Sequence, residues 1–119
     1  CARRREPLEA AAAEIRAETG RKVLALTADL TRKEDAEHFV NGAASDFGRV
    51  DILVNNAGGV LGQVGRPLEQ VTAEEWRTIF DVNVTGAFYC AQAVAPGMKA
   101  ANGGRIVNIA SNVLTFGMS

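Results

Sequence analysis

The stretch Val50-Asp51-Ile52-Leu53-Val54-Asn55-Asn56-Ala57-Gly58-Gly59 limits what this chain can fold into more than any other. Its apolar residues run without polar alternation, which suits a strand buried on both faces, as in a parallel sheet. The run ends abruptly in two amides and two glycines. Ligands of open α/β sheets bind at the carboxyl ends of strands, and Asn and Gly let the backbone turn sharply and come close to a ligand. Taken alone, the decapeptide is also compatible with a plain turn, because Asn and Gly are the ordinary turn residues.

The rest of the chain alternates around this strand. Pro7 suits a first helical turn, and Leu8, Ala11, Ala12 and Ile15 recur at helical spacing until Gly20. Val23 to Ala28 reads as a strand with a polar exit at Asp29-Leu30-Thr31. Thr31 can cap a helix whose inward face is Ala36, Phe39, Val40, Ala43 and Phe47, closed by Gly48. After Gly59 a Gly-rich loop containing Pro67 leads to Thr72-Ala73-Glu74-Glu75, which has capping-box spacing. Trp76, Ile79 and Phe80 are the apolar face of the helix that starts there. A second helical run carries Val84, Ala87, Phe88, Ala91, Ala95 and Met98 on one side and Tyr89, Cys90, Ala93 and Val94 on the other, with a bend expected at Pro96. Gly103-Gly104 turns the chain into a last strand, Arg105 to Ala110. Helix and strand thus alternate three times, the order of a parallel α/β sheet.

Several function classes are excluded. A net charge of −1 provides no basic stripe for nucleic acid, and Arg3-Arg4-Arg5 is followed at once by Glu6 and Glu9. Apolar stretches fall far short of the roughly 20 residues that span a bilayer, and nothing resembles a signal peptide, so neither nucleic acid nor membrane is an expected partner and the cytoplasm is the default location. Cys1 and Cys90 lack metal-ligand spacing and read as two free thiols of a reducing compartment; no metal site is expected. His38, the single histidine, lies in a polar helical stretch and reads as a surface residue.

Two further stretches follow the Asn-Asn-Ala-Gly element in order: Asp81-Val82-Asn83-Val84-Thr85-Gly86 and Gly104-Arg105-Ile106-Val107-Asn108-Ile109-Ala110-Ser111. Together the three resemble the central portion of a classical short-chain dehydrogenase/reductase, over nearly the whole chain. The resemblance implies a doubly wound, Rossmann-like parallel sheet, incomplete at both ends, with residues 1–119 part of one dinucleotide-binding domain. Two family signatures are absent: no Thr-Gly-x-x-x-Gly-x-Gly turn precedes Cys1, and no Tyr-x-x-x-Lys follows Ser119. The expectation is a trimmed part of a polypeptide of about 250 residues, a typical family size. The strand at Val23 is then outermost, separated from that at Ile52 by two strands that precede Cys1.

Candidate site residues follow from residue chemistry and from this resemblance. At the end of the second strand, Ala2 stands where NAD users of the family usually carry an acidic residue, and Arg3 comes next. Guanidinium geometry suits a 2′-phosphate, which favours NADP over NAD; a solvated basic turn is the alternative, and Arg4 or Arg5 could share the role. Asp29 and Leu30 match the family's acidic-apolar pair at the adenine, although Asp29-Leu30-Thr31 is equally a helix cap. Asn56, Ala57 and Gly58 are expected to line the cofactor ribose, while Asn55 reads as a structural amide tying strand ends together. Asn83 interrupts a helical pattern in which Asn is a poor choice; the alternatives are a functional residue and a cap between two helices. In the family this Asn distorts the helix and holds a water on the proton path.

Ser111 directly follows the last strand and matches the family's catalytic Ser, whose hydroxyl donates to the substrate oxygen as charge develops. The region is not a Gly-x-Ser-x-Gly elbow, and the histidine belongs to another helix. The family's general acid Tyr, whose pKa its Lys lowers, is expected roughly a dozen residues beyond Ser111, past the last residue of this sequence. Tyr89 cannot replace it. The sequence therefore points to an NADP-preferring enzyme, with NAD possible, that interconverts a carbonyl and a secondary alcohol of a small-molecule substrate. The rival is a non-catalytic dinucleotide-binding regulatory protein of the same fold. Leu61, Asn112 and Val113 are expected in the substrate pocket. The helix from Val84 to Met98 is apolar around nearly its full circumference, so one side needs another cover, either a C-terminal segment beyond Ser119 or a second subunit; the family's habit implies the second, in a homotetramer contacting through Tyr89 and Ala93.

Overall fold

A computed structural model describes residues 1–62 and 65–110. Its elements are α1 (Arg5–Thr19), α2 (Lys33–Phe47), β1 (Ile52–Asn55), a single 3-10 turn (Leu68–Gln70), α3 (Ala73–Phe80), a π-helical turn (Asp81–Thr85), α4 (Gly86–Ala100) and β2 (Arg105–Asn108). The helix ends lie where local chemistry puts them. Gly20 (φ 64°) and Gly48 (φ 85°) end α1 and α2 in the left-handed region, which a Cβ disfavours. Thr72 and Glu75 form a complete capping box at α3, each side chain bonded to the other's backbone N–H.

β1 and β2 pair in parallel, with Ile52 opposite Arg105 and Asn55 opposite Asn108. The connection between them is α3, the π turn and α4 in one uninterrupted helical path, which removes the alternative of a cap between two separate helices at Asn83. α4 continues through Pro96, which lacks the N–H that an interior helical residue donates. Core residues come from three elements: Ala36 and Val40 of α2, Leu53 of β1, and Cys90, Val94 and Met98 of α4. Burying each of the larger side chains contributes about 1.5–3 kcal/mol. No described helix is long and apolar enough to cross a membrane.

Three expectations are modified. Val23 to Ala28 is extended but forms no strand ladder: its one bridge joins Thr27 to Ala2, with Ala28 N–H donating to Ala2 O at 3.1 Å. A ladder needs a partner along its length, and among the described residues only Ala2 bridges to it. β1 is buried on one face instead of both, since α2 and α4 cover Leu53 while Ile52 and Val54 stay 60% and 55% exposed. On α4 the inward stripe is Gly86, Cys90, Val94 and Met98, spaced by four. Tyr89 and Ala93, expected at a subunit contact, pack partly against this core, whereas Val84 and Phe88 face out. Both thiols are free, Cys1 exposed and Cys90 buried, and burial pushes the Cys90 thiol up from its ordinary pKa.

Candidate functional site

The segment leaving β1 is the common wall of three hollows. Ala57 lines all three. The first, about 250 Å³, is bounded by Arg3, Ala28, Asp29, Leu30, Ala57 and Gly58. The second, about 220 Å³, reaches inward to Leu53, Asn56 and Cys90. A third, about 750 Å³, opens between α4 and the carboxyl ends of both strands, against Asn56, Gly59, Asn83, Ala87, Ile109 and Ala110. The fold thus gathers Arg3, Asp29, Leu30, Asn56, Ala57, Gly58 and Asn83 from four separate stretches of chain. Ser111, Asn112 and Val113 lie outside the described residues; Ala110, which precedes Ser111, lines the largest hollow.

At the first hollow Asp29 is held rigidly. Its Oδ1 accepts from Thr31 N–H (3.1 Å) and Thr31 Oγ1 (2.8 Å), while its own N–H donates to Asp35 Oδ2 (2.8 Å). The cap expected from Thr31 is therefore built differently: the helix N-cap is Arg32, without a side-chain cap bond, and Asp29 and Asp35 tie down the preceding turn. The Thr31 hydrogen bonds hold the Asp29 carboxyl below the usual range, assisted by attraction to Arg3 and Arg32. Both Thr31 donors use Oδ1, so Oδ2 has no donor among the described residues and can receive one from a ligand. Arg3 supplies a cation at the same rim.

At the other end Asn83 occupies the π turn. Its Nδ2 donates to Gly59 O (2.8 Å) and Ile79 O (2.9 Å), and its Oδ1 accepts from Gly59 N–H (3.0 Å). A Cβ on Gly58 would lie 2.6 Å from Asn83 Oδ1, so the loop can lie this close to the amide only because position 58 is glycine. The π turn brings this about, because an extra residue in one turn re-aims the side chain at the loop. Asn55 spans the strand ends as expected, donating to Asn108 Oδ1 at 2.9 Å.

Gly86 escaped the sequence reading. A Cβ there would meet Leu30 O at 3.0 Å and Leu30 Cβ at 3.2 Å, so the first turn of α4 abuts the Asp29-Leu30 segment only because this side chain is missing. A glycine opening a helical run was the available signal. Asp35 was missed as well, since an acidic residue in the first turn of a helix is commonplace. His38 lies on the exposed side of α2, away from the hollows.

Comparison with known proteins accords with this geometry. The family model for short chain dehydrogenases matches residues 1–118. The chain belongs to the short-chain dehydrogenase family. It is 41% identical over 104 residues to a D-beta-hydroxybutyrate dehydrogenase of Cupriavidus necator, covering 87% of this chain and 39% of the relative. It is 36% identical over 109 residues to an NADP-dependent 3-hydroxy acid dehydrogenase of Salmonella typhi, covering 92% of this chain and 42% of the relative. An NAD+-bound xylitol dehydrogenase superposes with a TM-score of 0.85 at 36% identity, over 98% of this chain and 44% of its own. The doubly wound, Rossmann-like class of this short-chain dehydrogenase chain follows from that superposition. The chain spans about two fifths of the length of the curated relatives it matches.

Proposed function

We propose that the polypeptide carrying this sequence is an NADP-preferring oxidoreductase that interconverts a carbonyl and a secondary alcohol. The observation that carries the reading is the convergence of Arg3, Asp29, Ala57 and Gly58 on one hollow, with Ala57 and Gly58 also lining a second that holds Asn83 and the strand end before Ser111. The donor set fits a dinucleotide. Asp29 Oδ2 is free to accept from an adenine amino group, Leu30 offers an apolar surface to the ring, Asn56, Ala57 and Gly58 lie against a ribose, and Arg3 suits a 2′-phosphate. A bound nicotinamide supplies or takes up the hydride. The Ser111 hydroxyl donates to the substrate oxygen, favouring the charge that develops there over the neutral ground state. Asn83 holds the wall of the site in place and, by family resemblance, a water on the proton path.

Small 3-hydroxy or 3-oxo compounds, including 3-oxoacyl thioesters, are the favoured substrate class, in keeping with the names of the hydroxybutyrate and 3-hydroxy acid dehydrogenases. The working form is a cytoplasmic homotetramer without nucleic-acid or membrane partners. The test is oxidation of NADPH by the whole encoded polypeptide with a ketone or 3-oxoacyl thioester. Ser111→Ala is expected to cut this rate by orders of magnitude and leave cofactor affinity nearly intact. Dinucleotide binding without turnover would instead establish the non-catalytic alternative.

A further inference from the structure

Thr85 departs from a pattern that Thr19 and Thr78 keep. A threonine hydroxyl inside a helix commonly bonds the carbonyl four residues back. Thr19 Oγ1 does so in α1, donating to Ile15 O at 2.6 Å, and Thr78 Oγ1 does so in α3, donating to Glu74 O at 2.9 Å. Thr85 Oγ1 donates instead to the side chain four residues back, Asp81 Oδ1, at 3.1 Å, and both residues are half-buried. The Asp81 carbonyl is otherwise engaged. It accepts from Gly86 N–H, the bond over five residues that makes a π turn of 81–85.

Asp81 and Thr85 are the first and last residues of this turn, so their side-chain bond spans it from end to end. By taking the hydroxyl on its carboxylate, Asp81 leaves its carbonyl to Gly86. Two contacts on which the site depends lie inside or next to the span. Asn83, at its centre, makes the two bonds to Gly59 and a third to Ile79 O at 2.9 Å. Gly86, directly after it, backs onto Leu30 without a Cβ. Relaxing the extra residue into an α register would turn α4 against α3 by one residue, about 100°, and so would disturb the fit of Asn83 to Gly59 and that of Gly86 to Leu30 together.

We propose that Asp81 and Thr85 are positioning residues that hold the π register and through it aim Asn83 at Gly59, keeping the wall at Ala57 and Gly58 in place for the dinucleotide. The proposal rests on the dinucleotide site of the reading above. Asp81 and Thr85 line none of the three hollows, whereas Val82 lines the one at Arg3 and Asp29, and Asn83 the one at the strand ends. The bridge therefore acts through Asn83 and not by touching the ligand.

The experiment titrates NADPH into the whole encoded polypeptide by calorimetry, which does not depend on turnover. Thr85→Val keeps the shape of the side chain and removes the hydroxyl, and is expected to raise the NADPH Kd roughly tenfold, the size of one lost hydrogen bond. Asp81→Ala, which introduces a strong helix former, is expected to do the same, and Thr85→Ser to recover most of the affinity. In the Asn83→Ala background neither substitution is expected to raise Kd further, because the residue they aim is gone. An unchanged Kd in Thr85→Val and Asp81→Ala, even with a lowered urea midpoint, overturns the proposal, since the bridge then only stabilises the helix. Losses that add in full to that of Asn83→Ala overturn it as well, as does a Thr85→Ser as weak as Thr85→Val. A wild-type protein that binds NADPH without turning over a ketone defeats the oxidoreductase reading alone and leaves these titrations decisive, whereas one that binds no dinucleotide overturns both.

Discussion

Asn83 grips Gly59 across 24 residues of sequence by both polar atoms of its peptide unit, Nδ2 donating to the carbonyl at 2.8 Å and Oδ1 accepting from the N–H at 3.0 Å. The Asn side chain thus stands in for a strand partner: it satisfies a loop residue that has left β1 and has no ladder of its own. Because Ala57 and Gly58 immediately precede this clamp, the wall they provide to the hollows depends on it.

Replacing Asn83 by Leu removes both bonds and is expected to weaken dinucleotide binding by about 1–3 kcal/mol as the loop loses its fixed position. Gly58→Ala should act through the same contact, since its Cβ would fall 2.6 Å from Asn83 Oδ1. The two are therefore coupled. Calorimetric titration of Gly58→Ala, Asn83→Ala and the double variant should show Gly58→Ala costing less in the Asn83→Ala background, and strict additivity would disprove the clamp.

Arg3 is the cofactor discriminator in this reading. Arg3→Ala should weaken NADPH binding by about 1.5–3 kcal/mol, the loss of a charge-assisted hydrogen bond, and leave NADH binding nearly unchanged. Equal losses for the two cofactors would assign Arg3 to a solvated turn.

Asp29 links stability to pH. Its folded-state pKa is depressed, first by the Thr31 hydrogen bonds and then by Arg3 and Arg32, so its contribution is fully present above the unfolded value of about 3.9 and is lost as pH falls through the lower folded value. Urea midpoints of wild type and Asp29→Asn should differ at neutral pH and converge only below about pH 4. A difference that persists unchanged into acid would show that the ionised carboxylate contributes nothing.

For the proposed tetramer, the orientation of α4 changes which substitution is informative. Ala93 packs partly against the core, so Ala93→Glu would disturb the subunit itself; Phe88 is 57% exposed and outside that core, although it also borders the largest hollow. Phe88→Glu is expected to shift the whole polypeptide toward smaller species in sedimentation, because an unpaired charge is costly in a contact. A wild-type monomer at micromolar concentration would contradict the tetramer.

Features that act over a few residues were legible in the sequence. Gly20 and Gly48 end helices, and Thr72 with Glu75 begins one, because caps bond to backbone within one turn. Apolar runs closed by Asn and Gly marked β1 and its ligand-facing exit for the same local reason, and Asn83 stood out by breaking the helical pattern around it. What that Asn holds could not be read, because its partner Gly59 is distant in sequence and comes near only through the π turn and an empty Cβ position at Gly58. The inward face of α4 was equally undetermined: a helix apolar all round has no moment to orient it, and the close approach of Gly86 to Leu30 selects the Gly86-Cys90-Val94-Met98 stripe. The extended stretch Val23 to Ala28 has strand composition, yet a ladder depends on what lies beside it, which no local pattern encodes. Local hydrogen bonding and periodicity are written along the chain, whereas close approach between distant backbones exists only once the chain has folded.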